Sequence, residues 1–322
     1  MEIISGNTEN TKVNYFGKGI EFAGIFFKNL LLTIFTLGIY YPWAKVELLQ
    51  YHYKNSELNE KNFQLHAKPK EIFIGFIKIY VFLILFYIII AIAGYTNNTI
   101  LLLSAIGLFY LLLLFLIPVA IHSTIRYRTA KSSWKGIFFK YLGSRSELFW
   151  LYLKGIFLTI LTLGIYGFWF SVDMRKYIFS HLRFGDLSFD FHGKGKTLFW
   201  ITIKFCILFF LTLGIYSFWY YRDLYRFYAQ NTTVTQNGKT QHLKFNMKAV
   251  DLFELMFING LLFVFTLGIA TPWIIIRTFK FFFRFTEVDG YIDTNKIQQV
   301  KYDDFDDATG DSFMDFLDFD LL

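Results

Sequence analysis

One octapeptide recurs along the chain and sets its register: Thr36-Leu-Gly-Ile-Tyr-Tyr-Pro-Trp43, Thr162-Leu-Gly-Ile-Tyr-Gly-Phe-Trp169, Thr212-Leu-Gly-Ile-Tyr-Ser-Phe-Trp219 and Thr266-Leu-Gly-Ile-Ala-Thr-Pro-Trp273. Its tryptophans stand 126, 50 and 54 residues apart. The wide interval divides into 76 and 50 if Val119, preceded by Pro118 as Trp43 is by Pro42, marks a degenerate fifth copy. The extra length, about 26 residues, is that of one membrane helix. Five copies with a period near 50 residues are a signal that chance does not produce.

Each copy has the same three parts. A short alternating stretch comes first: Phe63-x-Leu65, Phe139-x-Tyr141, Phe189-x-Phe191 and Leu243-x-Phe245. That period of two predicts a short strand. A turn block follows (Gly17-Lys-Gly19, Ala67-Lys-Pro69, Gly193-Lys-Gly195, Met247-Lys-Ala249), and then Glu21, Glu71, Glu147, Thr197 or Asp251 opens a helix. A negative group there complements the helix dipole. The Thr-Leu-Gly-Ile motif, with Gly38 and Trp43, Gly164 and Trp169, Gly214 and Trp219, and Gly268 and Trp273, closes the apolar run.

Composition now has a use. With 55% hydrophobic, 22% aromatic and 18% charged residues, the chain is neither disordered nor an ordinary soluble domain. The expected fold class is an all-α polytopic membrane protein. About six transmembrane helices, built from five ~50-residue repeats, would span 22–43, 72–93, 100–121, 148–170, 198–221 and 252–276, with short β-strands in the connectors. Residues 1–21 form a polar N-terminal segment without a signal peptide's cleavage pattern, and 22–300 the repeat-built membrane domain. The remainder, 301–322, is an acidic tail in which Phe alternates with Asp; it reads as a disordered segment that docks on basic faces of this protein or on a partner protein.

Charge leaves the topology open. The connectors 44–71, 122–147, 171–197 and 222–250 carry five, six, five and five Lys plus Arg. Six single crossings would divide these 16 against 5, a weak bias that the chain ends reduce to 16 against 12. The alternative is that each Thr-Leu-Gly-Ile-Tyr segment breaks its helix and returns the chain to the side it came from.

Two polar features recur in register. Lys28, Lys78, Lys154 and Lys204, with Asn259 one position later in the fifth copy, lie eight residues before the motif threonine or its equivalent. Ionisable groups in apolar helices line an interior path or an anion site, or else snorkel to headgroups. Seven residues past each tryptophan position stand Gln50, Arg126, Lys176, Arg226 and Lys280, each followed by Tyr or Phe. Basic–aromatic pairs of this kind suit interfacial anchoring, and Arg126, Lys176, Arg226 and Lys280 are candidate headgroup ligands.

Catalytic chemistry is not legible. Gly195-Lys196-Thr197 ends like a phosphate-binding loop, but Asp190 replaces its first glycine. The six histidines have no metal-ligand spacing, and His66 and His192 share a repeat position occupied elsewhere by Phe16, Leu142 and Asn246, a structural slot. The single Cys206 lies in an apolar run and is expected to be a buried small hydrophobe. No catalytic residue, metal site or cofactor is expected, and no nucleic-acid partner. The basic body, net +15 outside the eight Asp of 303–322, favours anionic membrane lipids.

The Thr-Leu-Gly-Ile-Tyr-x-x-Trp repeats, the Gly-Lys-Gly turns and the basic–aromatic exits resemble the YjgN-like bacterial inner-membrane proteins, a family without an assigned activity. The likeness covers about residues 12–300. It implies a multi-pass protein of the bacterial inner membrane and supplies no catalytic residue. The functional expectation is a passage or carrier for an anionic solute or lipid; the alternative is a non-catalytic envelope or lipid-organising protein.

Overall fold

In the computed structural model, residues 11–290 and 292–300 are described. Five copies of one unit (strand, helix, turn, helix, strand) follow each other. They are β1 (Val13–Tyr15), α1 (Gly19–Phe35), α2 (Tyr41–Lys54) and β2 (Ser56–Leu58); β3 (Lys61–Leu65), α3 (Pro69–Tyr95), α4 (Thr99–Lys131) and β4 (Ser132–Trp134); and β5 (Ile137–Tyr141), α5 (Arg145–Leu161), α6 (Gly167–Ser180) and β6 (Leu182–Phe184). The last two units are β7 (Leu187–Phe191), α7 (Gly195–Leu211), α8 (Ser217–Gln230) and β8 (Thr232–Gln236); and β9 (Lys239–Phe245), α9 (Ala249–Phe265), α10 (Thr271–Phe285) and β10 (Thr286–Asp289).

The ten strands form one antiparallel sheet in sequence order. Two-residue turns join consecutive units, pairing Leu58 with Lys61, Trp134 with Ile137, Phe184 with Leu187 and Gln236 with Lys239. Asn59-Glu60, Lys135-Gly136 and Asn237-Gly238 all take positive φ there, the twist that a tight hairpin needs. The sheet then curls until its edges touch: the Thr11 amide donates to the Gly290 carbonyl (3.1 Å), and the Val288 amide donates to the Thr11 carbonyl (2.9 Å). The result is a nearly closed barrel.

Alternation along the strands fills it. The pairs Val13–Leu58, Phe63–Trp134, Phe139–Phe184, Phe189–Val234 and Leu243–Val288 occupy the same register position in the five units and turn inward. Two residues on, Leu65, Tyr141, Phe191 and Phe245 are buried under the helices. Trp134 is fully buried, and its indole N–H donates to the Leu58 and Lys61 carbonyls (3.1 and 2.9 Å).

All ten helices leave the same rim of the barrel, because every odd strand ends and every even strand begins there. Each helix packs on the next, and α10 packs on α1, so the helices also close into a ring. The even helices meet near the barrel: His52 of α2 stacks on Phe279 of α10 (4.1 Å between centroids), Tyr225 of α8 touches Phe282 of α10, and the Arg175 guanidinium of α6 lies 4.0 Å over the Tyr228 ring of α8.

Three expectations are corrected. The chain is not all-α, since a ten-stranded barrel organises it. Nor are there about six spanning helices: among the described residues only α3 and α4, at 27 and 33 residues, are long and apolar enough to cross a membrane. The runs expected at 22–43, 148–170, 198–221 and 252–276 each divide at the motif into a 17-residue helix and a shorter returning one. At ~1.5 Å per residue the 17-residue arms are ~26 Å long and α3 is ~40 Å. Cys206 is exposed on α7 rather than buried. The polar N-terminal segment contributes β1 and the start of α1, and the tail 301–322 lies outside the described residues.

Candidate functional site

The motif is a helical-hairpin turn that satisfies its own polar groups. In the third unit Leu163 adopts φ 51° and Gly164 φ 94°, the left-handed region that closes a helix. The Gly164 amide donates to the Thr159 carbonyl (2.7 Å), and the Leu163 amide donates to that of Ile160 (3.1 Å). The Thr162 hydroxyl donates to the Leu158 carbonyl (2.7 Å) and accepts from the Tyr166 amide (2.9 Å), tying the end of one helix to the start of the next. The same bonds recur around Thr36, Thr212 and Thr266. Leu37, Leu163, Leu213 and Leu267 project from the tips, 90–94% exposed. The tip of the second unit is chemically different. Asn97 and Asn98 replace the motif, and the Asn98 side chain caps α4 by accepting from the Ile100 and Leu101 amides.

The recurring polar residues serve their own units. Lys28 forms an ion pair with Glu47 across the α1–α2 hairpin (2.5 Å), Lys204 lies 5.6 Å from the Tyr216 ring centroid, and Asn259 donates to the Thr278 hydroxyl (3.2 Å). Lys154 is exposed on α5 and Lys78 is half-buried on α3. Each of the five thus sits on a different odd helix, and the partners of Lys28, Lys204 and Asn259 lie within the same hairpin. An acid 19 residues downstream accompanies three of the lysines: Glu47, Asp173 and Asp223. Of these acids Glu47 pairs with its lysine across the hairpin, whereas Asp223 pairs with its neighbour Arg222 (2.6 Å).

Past the tryptophans, Gln50 donates to the Leu65 and Ala67 carbonyls (3.3 and 3.4 Å) and Arg226 to the Met247 carbonyl (3.5 Å), so this position latches one unit to the turn block of the next. Arg126 is at the same place in α4; Lys176 and Lys280 are exposed on α6 and α10. The neighbouring tyrosines cap helices. Tyr51 Oη accepts from the Lys18 amide (2.8 Å) and donates to the Lys18 carbonyl (3.0 Å), and Tyr177 does the same to Ser144. His66 and His192 bond the hydroxyls of Ser133 and Thr233. Their backbone amides, like those of Phe16, Leu142 and Asn246, donate to the carbonyl that ends an even helix.

What the sequence did not disclose is the barrel's interior, a cavity of about 380 Å³. Strand residues Val13, Leu58, Phe63, Phe139, Phe184, Leu187, Phe189, Val234, Leu243 and Val288 line it, with Phe282 and Phe283 from α10. Its polar lining residues, Thr11, Thr286 and Glu287, all belong to the β1–β10 seam, where among the described residues Thr11 provides the backbone bonds. The far rim is covered. Residues 292–300 cross the hairpin turns, burying Ile292 and Ile297 against Trp134 and Phe184. Asn59 donates to Thr294, Gln236 and Asp293 exchange two bonds, and the Phe138 amide donates to the Gln299 side chain. The even strands that complete this chamber are only three residues long in the first three units, too short for a period to register. The hairpin turns Lys135-Gly136 and Asn237-Gly238 were the available signal.

The chamber lies inside the ten-stranded barrel, and among the described residues Glu287 at the seam is the one charged side chain that lines it. Comparison with known proteins gives the lineage: the model of a family described as a bacterial protein of unknown function, DUF898, matches residues 10–210 and 235–316. The chain belongs to this family. The inner membrane protein YjgN of Salmonella typhimurium is 28% identical over 182 residues, which are 53% of this chain and 44% of that protein. The inner membrane protein YjgN of Escherichia coli K12 is 30% identical over 137 residues, 42% of this chain and 32% of that protein. The aligned stretch thus spans less than half the length of either relative. No solved structure matches the chain. The DUF898 match covers all five units except the end of the fourth, residues 211–234, so the resemblance inferred from the repeats holds.

Proposed function

We propose that this DUF898 protein is a non-catalytic lipid carrier of the bacterial inner membrane, and that its barrel holds the acyl chain of a membrane lipid. The apolar chamber of about 380 Å³ carries this reading. It falls within the ~300–1,000 Å³ of small-molecule sites, and its wall suits hydrocarbon rather than an anionic solute.

The helices support it. A turn in lipid must satisfy its backbone polar groups internally, and the threonine at each motif tip ties up a carbonyl before it and an amide after it. The four motif hairpins enter the bilayer from the barrel side and return, with their leucine tips in hydrocarbon. The α3–α4 pair exceeds the ~30 Å core and brings the Asn97-Asn98 turn to the far face. All four basic connectors, 21 Lys and Arg in total, then share one side, and residues 96–99 on the other carry no charge. The positive-inside bias puts the barrel in the cytoplasm. The relatives, named as inner membrane proteins, support the inner membrane as the setting.

The test is to extract the purified protein with organic solvent and measure bound lipid by mass spectrometry. About one acyl lipid per chain is expected, and a Val234→Phe/Val288→Phe variant that fills the chamber should lose it while keeping its circular dichroism. Wild-type protein without lipid, or a filled variant that retains it, would overturn the reading.

A further inference from the structure

The fifth unit departs from the other four in charge. Arg277 occupies the position of Glu47, Ser123, Asp173 and Asp223, and Glu254 that of Gly24, Ile74, Trp150 and Trp200. The fold does not need these charges, since four copies form the same hairpin without them. Together with Lys280 and Arg284, spaced three and seven residues beyond Arg277, they place three cations along one stripe of α10, facing the first turns of α9.

Between the two helices lies a groove of about 250 Å³, lined by Asp251, Glu254, Arg277, Lys280 and Arg284 over a floor of Leu255, Phe281 and Phe285. Among the described residues these five charged side chains form no ion pair with one another within 4.0 Å. Asp251 is partly engaged, accepting from the Lys248 amide at 2.8 Å. Glu254, Arg277 and Lys280 line the groove with mixed sign, and the Arg284 guanidinium lies 5.7 Å from the Phe285 ring centroid on its floor. Beside it, Val250, Phe253 and Phe257 of α9 form an exposed apolar stripe.

We propose that this groove binds the headgroup of a zwitterionic phospholipid, its phosphate on Arg277, Lys280 and Arg284 and its ammonium on Glu254. Guanidinium groups match phosphate oxygens in bidentate geometry. A primary ammonium brings three N–H donors to the carboxylates, which a quaternary ammonium cannot. The exposed α9 stripe receives the acyl chains, and this commits the ligand to a lipid rather than free phosphate. The depth of the groove at the headgroup level rests on the membrane placement proposed above; the groove does not depend on the barrel chamber.

The experiment titrates delipidated full-length protein in detergent with phosphatidylethanolamine, phosphatidylglycerol and phosphatidylcholine, counting bound lipids by native mass spectrometry, with inorganic phosphate as a competitor. The account predicts phosphatidylethanolamine binding about tenfold tighter than either other lipid. Arg277→Gln/Lys280→Gln should weaken all three, and Glu254→Gln should abolish the preference for phosphatidylethanolamine over phosphatidylglycerol while leaving the latter bound. Val234→Phe/Val288→Phe should leave this binding unchanged, which separates it from the chamber. Equal affinity for phosphatidylethanolamine and phosphatidylglycerol, displacement by millimolar phosphate, or no effect of the Arg277/Lys280 change would overturn the proposal.

Discussion

Trp273, in the last unit, packs its indole over Gly19, at the start of the first: a β-carbon on Gly19 would stand 2.4 Å from Trp273 Cδ1. Trp169 packs on Gly195 in the same way, where the third unit meets the fourth. The first and last units therefore meet through the contact that joins consecutive units, and the repeat closes on itself.

A side chain at Gly19 must displace that ring. Gly19→Val should destabilise the protein by about 1–3 kcal/mol, the usual cost of overpacking. Gly24→Ala, where nothing lies within 4 Å, should leave the thermal midpoint in detergent unchanged. Equal midpoints for the two variants would count against a closed ring.

The same seam is sensitive to acid. His52, bonded through Nδ1 to the Tyr15 hydroxyl (2.7 Å) and stacked on Phe279, has its pKa pushed down by burial from 6.5 to about 4. The folded protein thus holds the neutral ring, while the unfolded chain takes up a proton below pH 6.5. Stability rises with pH between about 4 and 6.5 and falls on acidification through that window. The loss at pH 5 should be about 1 kcal/mol, discounted for the ring's partial exposure. His52→Phe, which keeps the stack, should flatten unfolding midpoints between pH 7 and 5; an unchanged slope would remove His52 as the cause.

How far the sequence carried can be read from individual residues. Phe63, Phe139, Phe189 and Leu243 disclosed the odd strands by their period of two, and Gly38 and its counterparts marked where each helix ends. The even strands were hidden because each follows a helix directly and Ser56–Leu58, Ser132–Trp134 and Leu182–Phe184 are only three residues long. The single-crossing reading failed for a physical reason: the 17-residue arm and the start of its returning partner together make an apolar run of about 20 residues, indistinguishable by hydropathy from one span. The aligned lysines suggested an interior path or an anion site, and the register alone did not disclose that Lys28 pairs with Glu47 across its hairpin.

The tips should respond to loss of the threonine hydroxyl. Thr162→Val removes the donor to Leu158 and the acceptor for Tyr166 while keeping the shape, and should cost about 1–3 kcal/mol. Gly214→Ala, at φ 87°, should cost about 1–2 kcal/mol of backbone strain. Unfolding midpoints in detergent measure both, and the Thr162→Ser variant should recover most of the loss.

The most direct test of the account is sidedness. In a Cys206→Ala background, single cysteines at Asp186, Asn237, Asn97 and Leu163 are labelled in intact cells and in inverted membranes with an impermeant maleimide. The account predicts that Asp186→Cys and Asn237→Cys react only from the cytoplasmic face, Asn97→Cys only from the outer face and Leu163→Cys from neither. Reaction of Asp186→Cys and Asn237→Cys from opposite faces, as single crossings of α7–α8 would require, would contradict it.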